Sequence, residues 1–244
     1  MKKTLLLITT SVLVLSAPAM AQTYAQQPAT APTELSQNAA ALNPAMEQVA
    51  VLQKEWARIK YQVADEDSQV EALQRLGQQA AQVSAAYPDA PEPKIWEGII
   101  LSTEAGIEGG LGALDKVKKA KGLFEASLKQ NPNALEGSAY TSLGSLYYQV
   151  PGWPVGFGDD EEAEKNLKQA LQINPNGIDP NFFYGDFLLE DGRYDEAKVY
   201  MERALRAPDR PSRPLADAGR RQEIKAALAK INEKSKNKQV QRYN

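Results

Sequence analysis

From Met46 onward, large apolar residues recur every three or four positions, the period of one helix face. Val49, Leu52, Trp56 and Ile59 predict a first helix over residues 46–63. Asp65 or Asp67 can cap a second, whose face is Val70, Leu73, Leu76, Ala80 and Val83, and Pro88 after Tyr87 stops it. Ile95, Trp96, Ile99, Ile100 and Leu101 mark a helix over residues 93–105, and residues 114–130 form the next. The glycine-rich run between them, residues 106–112, reads as a flexible loop; it follows a helix and lacks the Gly-Lys-Ser/Thr ending of a phosphate loop. Further helices are predicted up to Gln149, from Asp159, over residues 181–188 and over residues 194–206. Pro208, Pro211 and Pro214 make residues 207–214 an extended connector before a last helix, residues 215–233, that turns Ile224, Leu228 and Ile231 inward. The basic tail, residues 234–244, is expected to fray.

Small residues recur at fixed places in these helices. Leu143, Gly144 and Tyr147 stand in the spacing L-G-x2-Y, Ala163, Leu167 and Ala170 follow, and Pro175 closes the unit. This resembles the tetratricopeptide repeat, in which small residues let two antiparallel helices approach closely. Gly185 to Ala197 is the expected twelve residues, whereas Gly144 to Ala163 is nineteen and Gly98 to Ala120 is twenty-two. The second and third of these pairs would therefore carry insertions between their helices. The fold class implied is all-α: a tetratricopeptide-type helix–turn–helix superhelix, residues 45–233, with a C-terminal capping helix.

Composition narrows the function. Lys2 and Lys3, a short apolar run over residues 5–15 and Ala19-Met20-Ala21 read as a secretion signal over residues 1–21. Residues 22–44, rich in Gln, Ala, Pro and Thr, read as a disordered linker. The expected destination is the periplasm. With no cysteine there is no disulfide and no lipoprotein cysteine; with no histidine the usual zinc sites and Ser-His-Asp or Cys-His catalysis fall away. Losing Lys2 and Lys3 moves the balance from −3 to −5, which argues against nucleic acid as a partner. No enzyme activity, cofactor or metal is expected.

A narrower resemblance rests on VPGWPVGFGD (150–159), GIDPNFFYGDFLLEDGRYDEA (177–197) and APDRPSRPLADAGRRQEI (207–224). These are similar to the periplasmic TatT-like proteins, tetratricopeptide partners of TRAP transporters. The resemblance implies a helical superhelix that engages a periplasmic substrate-binding protein and can form a homo-oligomer.

Candidate binding residues follow from the register. The first helix of each pair should line the concave face, which brings Thr141, Ser145 and Tyr148 beside Phe182, Asp186 and Leu189. In the loop over residues 150–158, Trp153 and Phe157 are braced by prolines and glycines: either an aromatic platform for a partner, a flap over the groove, or a plug packed back onto the stack. Arg203, Arg206, Arg210, Arg213, Arg220 and Arg221 either pair with Asp186, Glu190, Asp209 and Asp217 or clamp a carboxylate. Residues 159–162, Asp-Asp-Glu-Glu, read as a helix start, and Asp179 as an N-cap ahead of Pro180. The site expected is therefore Tyr148, Trp153, Phe157, Phe182, Asp186, Arg210 and Arg213, in a non-enzymatic scaffold for a protein partner or a small apolar carboxylate. A structural scaffold in cell-envelope assembly is the alternative.

Overall fold

The computed structural model describes residues 43–243, so the expected signal and all of the expected linker except Asn43 and Pro44 lie outside the described residues. Nine helices follow among these: α1 (Pro44–Gln62), α2 (Glu66–Ala86), α3 (Pro91–Glu108), α4 (Gly110–Gln130), α5 (Ser138–Gln149), α6 (Asp160–Ile173), α7 (Ile178–Glu190), α8 (Tyr194–Leu205) and α9 (Pro214–Tyr243). No strand interrupts them in the described residues. The architecture is the expected all-α solenoid of helix pairs, each helix packed against the next in sequence.

Local chemistry sets the boundaries. The Asn43 side chain accepts from the Ala45 amide (3.1 Å), Asp65 from Ser68 (2.8 Å) and Asp159 from Glu162 (3.0 Å), each satisfying a donor that a helix start leaves open. Acidic residues 160–162 then lie in the first turn of α6, where the dipole favours them.

Close approach is bought by small residues. A Cβ on Gly144 would stand 2.7 Å from Leu167 and 3.1 Å from the Ala163 carbonyl oxygen; one on Gly98 would stand 2.5 Å from Phe124. Ala163, Ala170, Ala197 and Ala204 are fully buried opposite. These contacts fix the α3–α4, α5–α6 and α7–α8 pairs and leave the first helix of each facing inward.

Two expectations need correction. The glycine-rich run is not a loop: α3 continues to Glu108 and α4 begins at Gly110, with Gly109 and Gly110 turning the chain at φ 63° and 67°. The extra residues lengthen both helices, and buried Glu97 and Glu104 tie them together through Lys119 (2.8 Å) and Lys116 (2.6 Å). The last helix does not end near residue 233 but runs to Tyr243. Between α4 and α5 the sequence also hid a tight turn, Ala134–Gly137, with Leu135 and Glu136 at positive φ.

The last helix does more than cap. Besides α8 and α7, α9 packs on α1, so the stack curls until its end meets its beginning. Gly219 lies flat on the Tyr61 ring, where a Cβ would clash. Ala216 is buried in the cluster that Trp56, Leu73 and Trp96 form.

Candidate functional site

Curling of the stack leaves a half-open cavity of about 460 Å³ on its concave side. Residues of α1, α3, α5 and α7 line it, and the connector and α9 complete the wall. One side carries hydroxyls: Ser102 and Thr103 on α3, Ser138, Thr141, Ser142 and Ser145 on α5. Another is aromatic and apolar: Trp56, Trp96, Ile99, Phe182 and Phe183. The third is charged, with Lys60, Arg210, Arg213 and Arg220 against Asp179, Asp186 and Glu223.

Asp179 organises the charged wall. Its two oxygens accept from Arg210 (2.7 Å) and Arg220 (3.0 Å). Burial alone would push its carboxyl up; the guanidiniums of Arg220, Arg210 and Arg213 outweigh this and hold it well below the usual carboxylate range. Arg210 also grips Asp217 through Nε (2.7 Å), and its own backbone amide donates to the other Asp217 oxygen (2.7 Å). Arg220 reaches Glu223 (2.6 Å), and Lys60 bonds the second Glu223 oxygen (3.0 Å). Thus the connector, α7, α9 and α1 share one network. Arg220 also lies over the Phe182 ring at 4.3 Å, a cation–π contact. Burial pushes the Lys60 ammonium down, Arg220 adds to this, and Glu223 opposes it.

Trp56 donates its indole N–H to Thr103 (2.9 Å), locking it against α3. The Tyr148 hydroxyl donates to Asp186 (2.7 Å) and accepts from Gln149 (3.1 Å). Burial pushes the Asp186 carboxyl up, with the Tyr148 hydroxyl pulling the other way.

Of the seven residues expected at the site, Phe182, Asp186, Arg210 and Arg213 line the cavity, and Tyr148 adjoins it through Asp186. Trp153 and Phe157 do not. Thr141 and Ser145 face the cavity as expected, whereas Leu189 is buried in the core of α6–α9. The late arginines pair with two of the four expected carboxylates, Arg210 with Asp217 among them. Arg221 takes Asp209 (2.8 Å), but Asp186 is held by Tyr148, Glu190 by Lys230 (2.8 Å), and Arg203 lies on Tyr200. Asp179 is not an N-cap: that position is Gly177, and Asp179 sits in the first turn, free to serve the arginines.

The loop between α5 and α6 is a separate feature. Gly158 donates to the Pro151 carbonyl (3.0 Å) and Gly156 to that of Gly152 (3.1 Å), so the backbone doubles on itself. Trp153, joined to Pro154 by a cis peptide, is 90% exposed, which overturns the plug reading. Nor is the loop a flap over the groove: Pro154, Val155, Gly156 and Phe157 lie beside Lys118, Lys121, Gly122 and Glu125 of α4. Phe157 anchors it edge-on against Tyr147, 5.8 Å between ring centres.

Sequence reasoning missed Trp56, Lys60, Tyr61, Trp96 and Glu223, and used Asp179 and Arg220 for other purposes. One signal was present: Ser138, Thr141, Ser142 and Ser145 form a hydroxyl stripe at helical spacing, unusual for a core-facing surface.

These features define a class: an all-α stack closed around a small polar-and-aromatic cavity, with an aromatic loop outside. The comparison with family models agrees on the repeat. Residues 156–231 match the family described as tetratricopeptide repeat, which spans α6 to most of α9. Residues 156–231 thus resemble tetratricopeptide repeats, which are typically protein-interaction scaffolds rather than catalysts. No curated protein matches the chain. No described helix is long and apolar enough to cross a membrane.

Proposed function

We propose that the chain is an exported, periplasmic, non-catalytic scaffold that holds a small apolar carboxylate in its half-open cavity and offers the 150–158 loop to a protein partner. The observation that carries the reading is the closure by α9 and the connector, which converts an open peptide groove into a cavity of about 460 Å³. That volume suits a small molecule rather than a folded partner. A partner therefore needs another surface, and Trp153, 90% exposed on a self-bonded loop, supplies a large rigid anchor. The absence of an acid–base role is supported by Asp179 and Glu223, both committed to cations.

The more specific form is an accessory to a TRAP-type solute uptake system whose partner is the periplasmic substrate-binding protein. Its support is the resemblance of segments 150–159, 177–197 and 207–224 to TatT-like proteins. The test is purification of the tagged chain from fractionated cells, native mass spectrometry for a retained small acid, and cross-linking to a photoreactive residue at position 153. Retention of an acid, with a substrate-binding protein as the cross-linked species, is expected. A ligand-free chain that no carboxylate stabilises in thermal melts overturns the cavity reading. Cross-linking to wall-assembly proteins instead replaces the uptake role with an envelope scaffold.

A further inference from the structure

We propose that Arg213, stacked on Trp96, is the anchor for a single ligand carboxylate and makes the cavity selective for monoanions. This rests on the reading of the cavity as a ligand site and adds which atoms hold the acid. The three arginines of the charged wall differ in how much of their hydrogen-bonding fork is used. Arg210 donates to Asp217 and Asp179. Arg220 donates to Asp179 and Glu223. Among the described residues the Arg213 guanidinium makes no hydrogen bond or ion pair, and its Nε is buried without an acceptor. It lies 5.0 Å from the centre of the Trp96 ring. The Trp96 indole Nε1 is likewise buried with no acceptor. Two unpaired donors thus meet at one end of the cavity.

A buried donor without a partner is costly, and a planar guanidinium matches a carboxylate in two-point geometry. Trp96 holds Arg213 from one side, so the fork is set before a ligand arrives. Charge points the same way. Four cations line the cavity against three carboxylates, and each carboxylate already has its own donor. Asp217, just behind the wall, takes a further share of Arg210, and Arg213 is the cation of this wall that has no ion pair among the described residues. A monoanion pairs with it; a dianion would bring a second charge with no unpaired cation of the wall to receive it. Phe182, Phe183 and Ile99 offer apolar surface for the rest of the molecule.

The experiment is calorimetric titration of the full chain with three probes of one shape: benzoate, its neutral isostere benzamide, and the dianion phthalate. Benzoate should bind at least tenfold more tightly than either of the others. Arg213→Gln should reduce benzoate to the benzamide level while the melting temperature holds or rises, because an unpaired, half-buried cation is removed. Arg213→Lys, which keeps the charge and loses the fork, should recover only part of the affinity. Trp96→Phe, which keeps a ring and removes the indole N–H, should weaken benzoate several-fold and provides a second route if Arg213→Gln fails to fold. Benzoate that binds equally well to Arg213→Gln, or no better than benzamide, overturns the anchor but leaves the cavity as a ligand site. Failure of all three probes to bind overturns both.

Discussion

The closure around Asp179 and the loop around Trp153 invert the usual placement of residues in opposite directions. At the closure, charged side chains turn inward and share hydrogen bonds under the last helix. At the loop, an indole stands in solvent. Folding alone favours neither: buried ions cost desolvation, and an exposed indole forgoes burial. The difference lies in what each does for the isolated chain. The closure network joins four segments, so its loss should unfold the ring; Trp153 touches little, so its loss should leave the fold intact. One inversion is structural and shapes a cavity, and the other is the surface proposed for a partner.

The sharpest way to break this contrast is Asp179→Ala. It leaves Arg210 with Asp217 alone and Arg220 with Glu223 alone, and removing one partner of this half-buried cluster should cost up to about 3 kcal/mol. Urea denaturation should show that loss; a variant as stable as the parent would make the network ornamental. Next in size is Gly219→Leu. The side chain must displace the Tyr61 ring, and overpacking of this kind costs roughly 1–3 kcal/mol. Limited proteolysis should then cut near the α1–α9 seam first.

Acid should also separate the two regions. Asp179 is held below its unfolded value, near 3.9 for an aspartate, so its contribution is present above about pH 4 and fades as pH falls below that. Asp186, pushed up by burial, acts with the opposite sign: its contribution is lost as pH rises through its folded value. Asp179→Asn should therefore flatten the acid limb of the stability curve, measured by melts at stepped pH, whereas Trp153→Ala should leave that limb unchanged. The smallest expected effect on stability is that of Trp153→Ala itself, within about 0.5 kcal/mol as for most surface positions. The same change should cost about 2 kcal/mol of partner binding, read by pull-down and sedimentation. A large drop in melting temperature with binding intact would return the loop to core packing.

Periodicity was enough to place the helix pairs, because Gly144, Ala163, Gly185 and Ala197 each record a close approach within one repeat. It failed where the information is not local. The nineteen-residue spacing from Gly144 became a loop and the twenty-two-residue spacing from Gly98 became longer helices, although both read as insertions. Glycines in the second case suggested a break; pairing of Glu97 and Glu104 with Lys119 and Lys116 kept both strands of that hairpin helical. Half the cavity was legible through Phe182, Asp186, Arg210 and Arg213. The other half comes from α1 and α3, which sequence adjacency cannot bring beside residues 210–223. Trp96 and Lys60 looked like ordinary helix positions until the ring closed.

That closure also affects how the chain acquires its structure. An open repeat array gains stability from nearest neighbours, so folding can begin anywhere and spread. Here Trp56, Lys60 and Tyr61 complete their surroundings only when residues 216–223 of the last helix arrive. Contacts of such high sequence separation slow folding, since the loop must close before they are rewarded. During synthesis from the N-terminus, the inner face of α1 stays uncovered until α9 is made. The first repeat is therefore the last to be finished, and truncation at the C-terminus should weaken the N-terminus most.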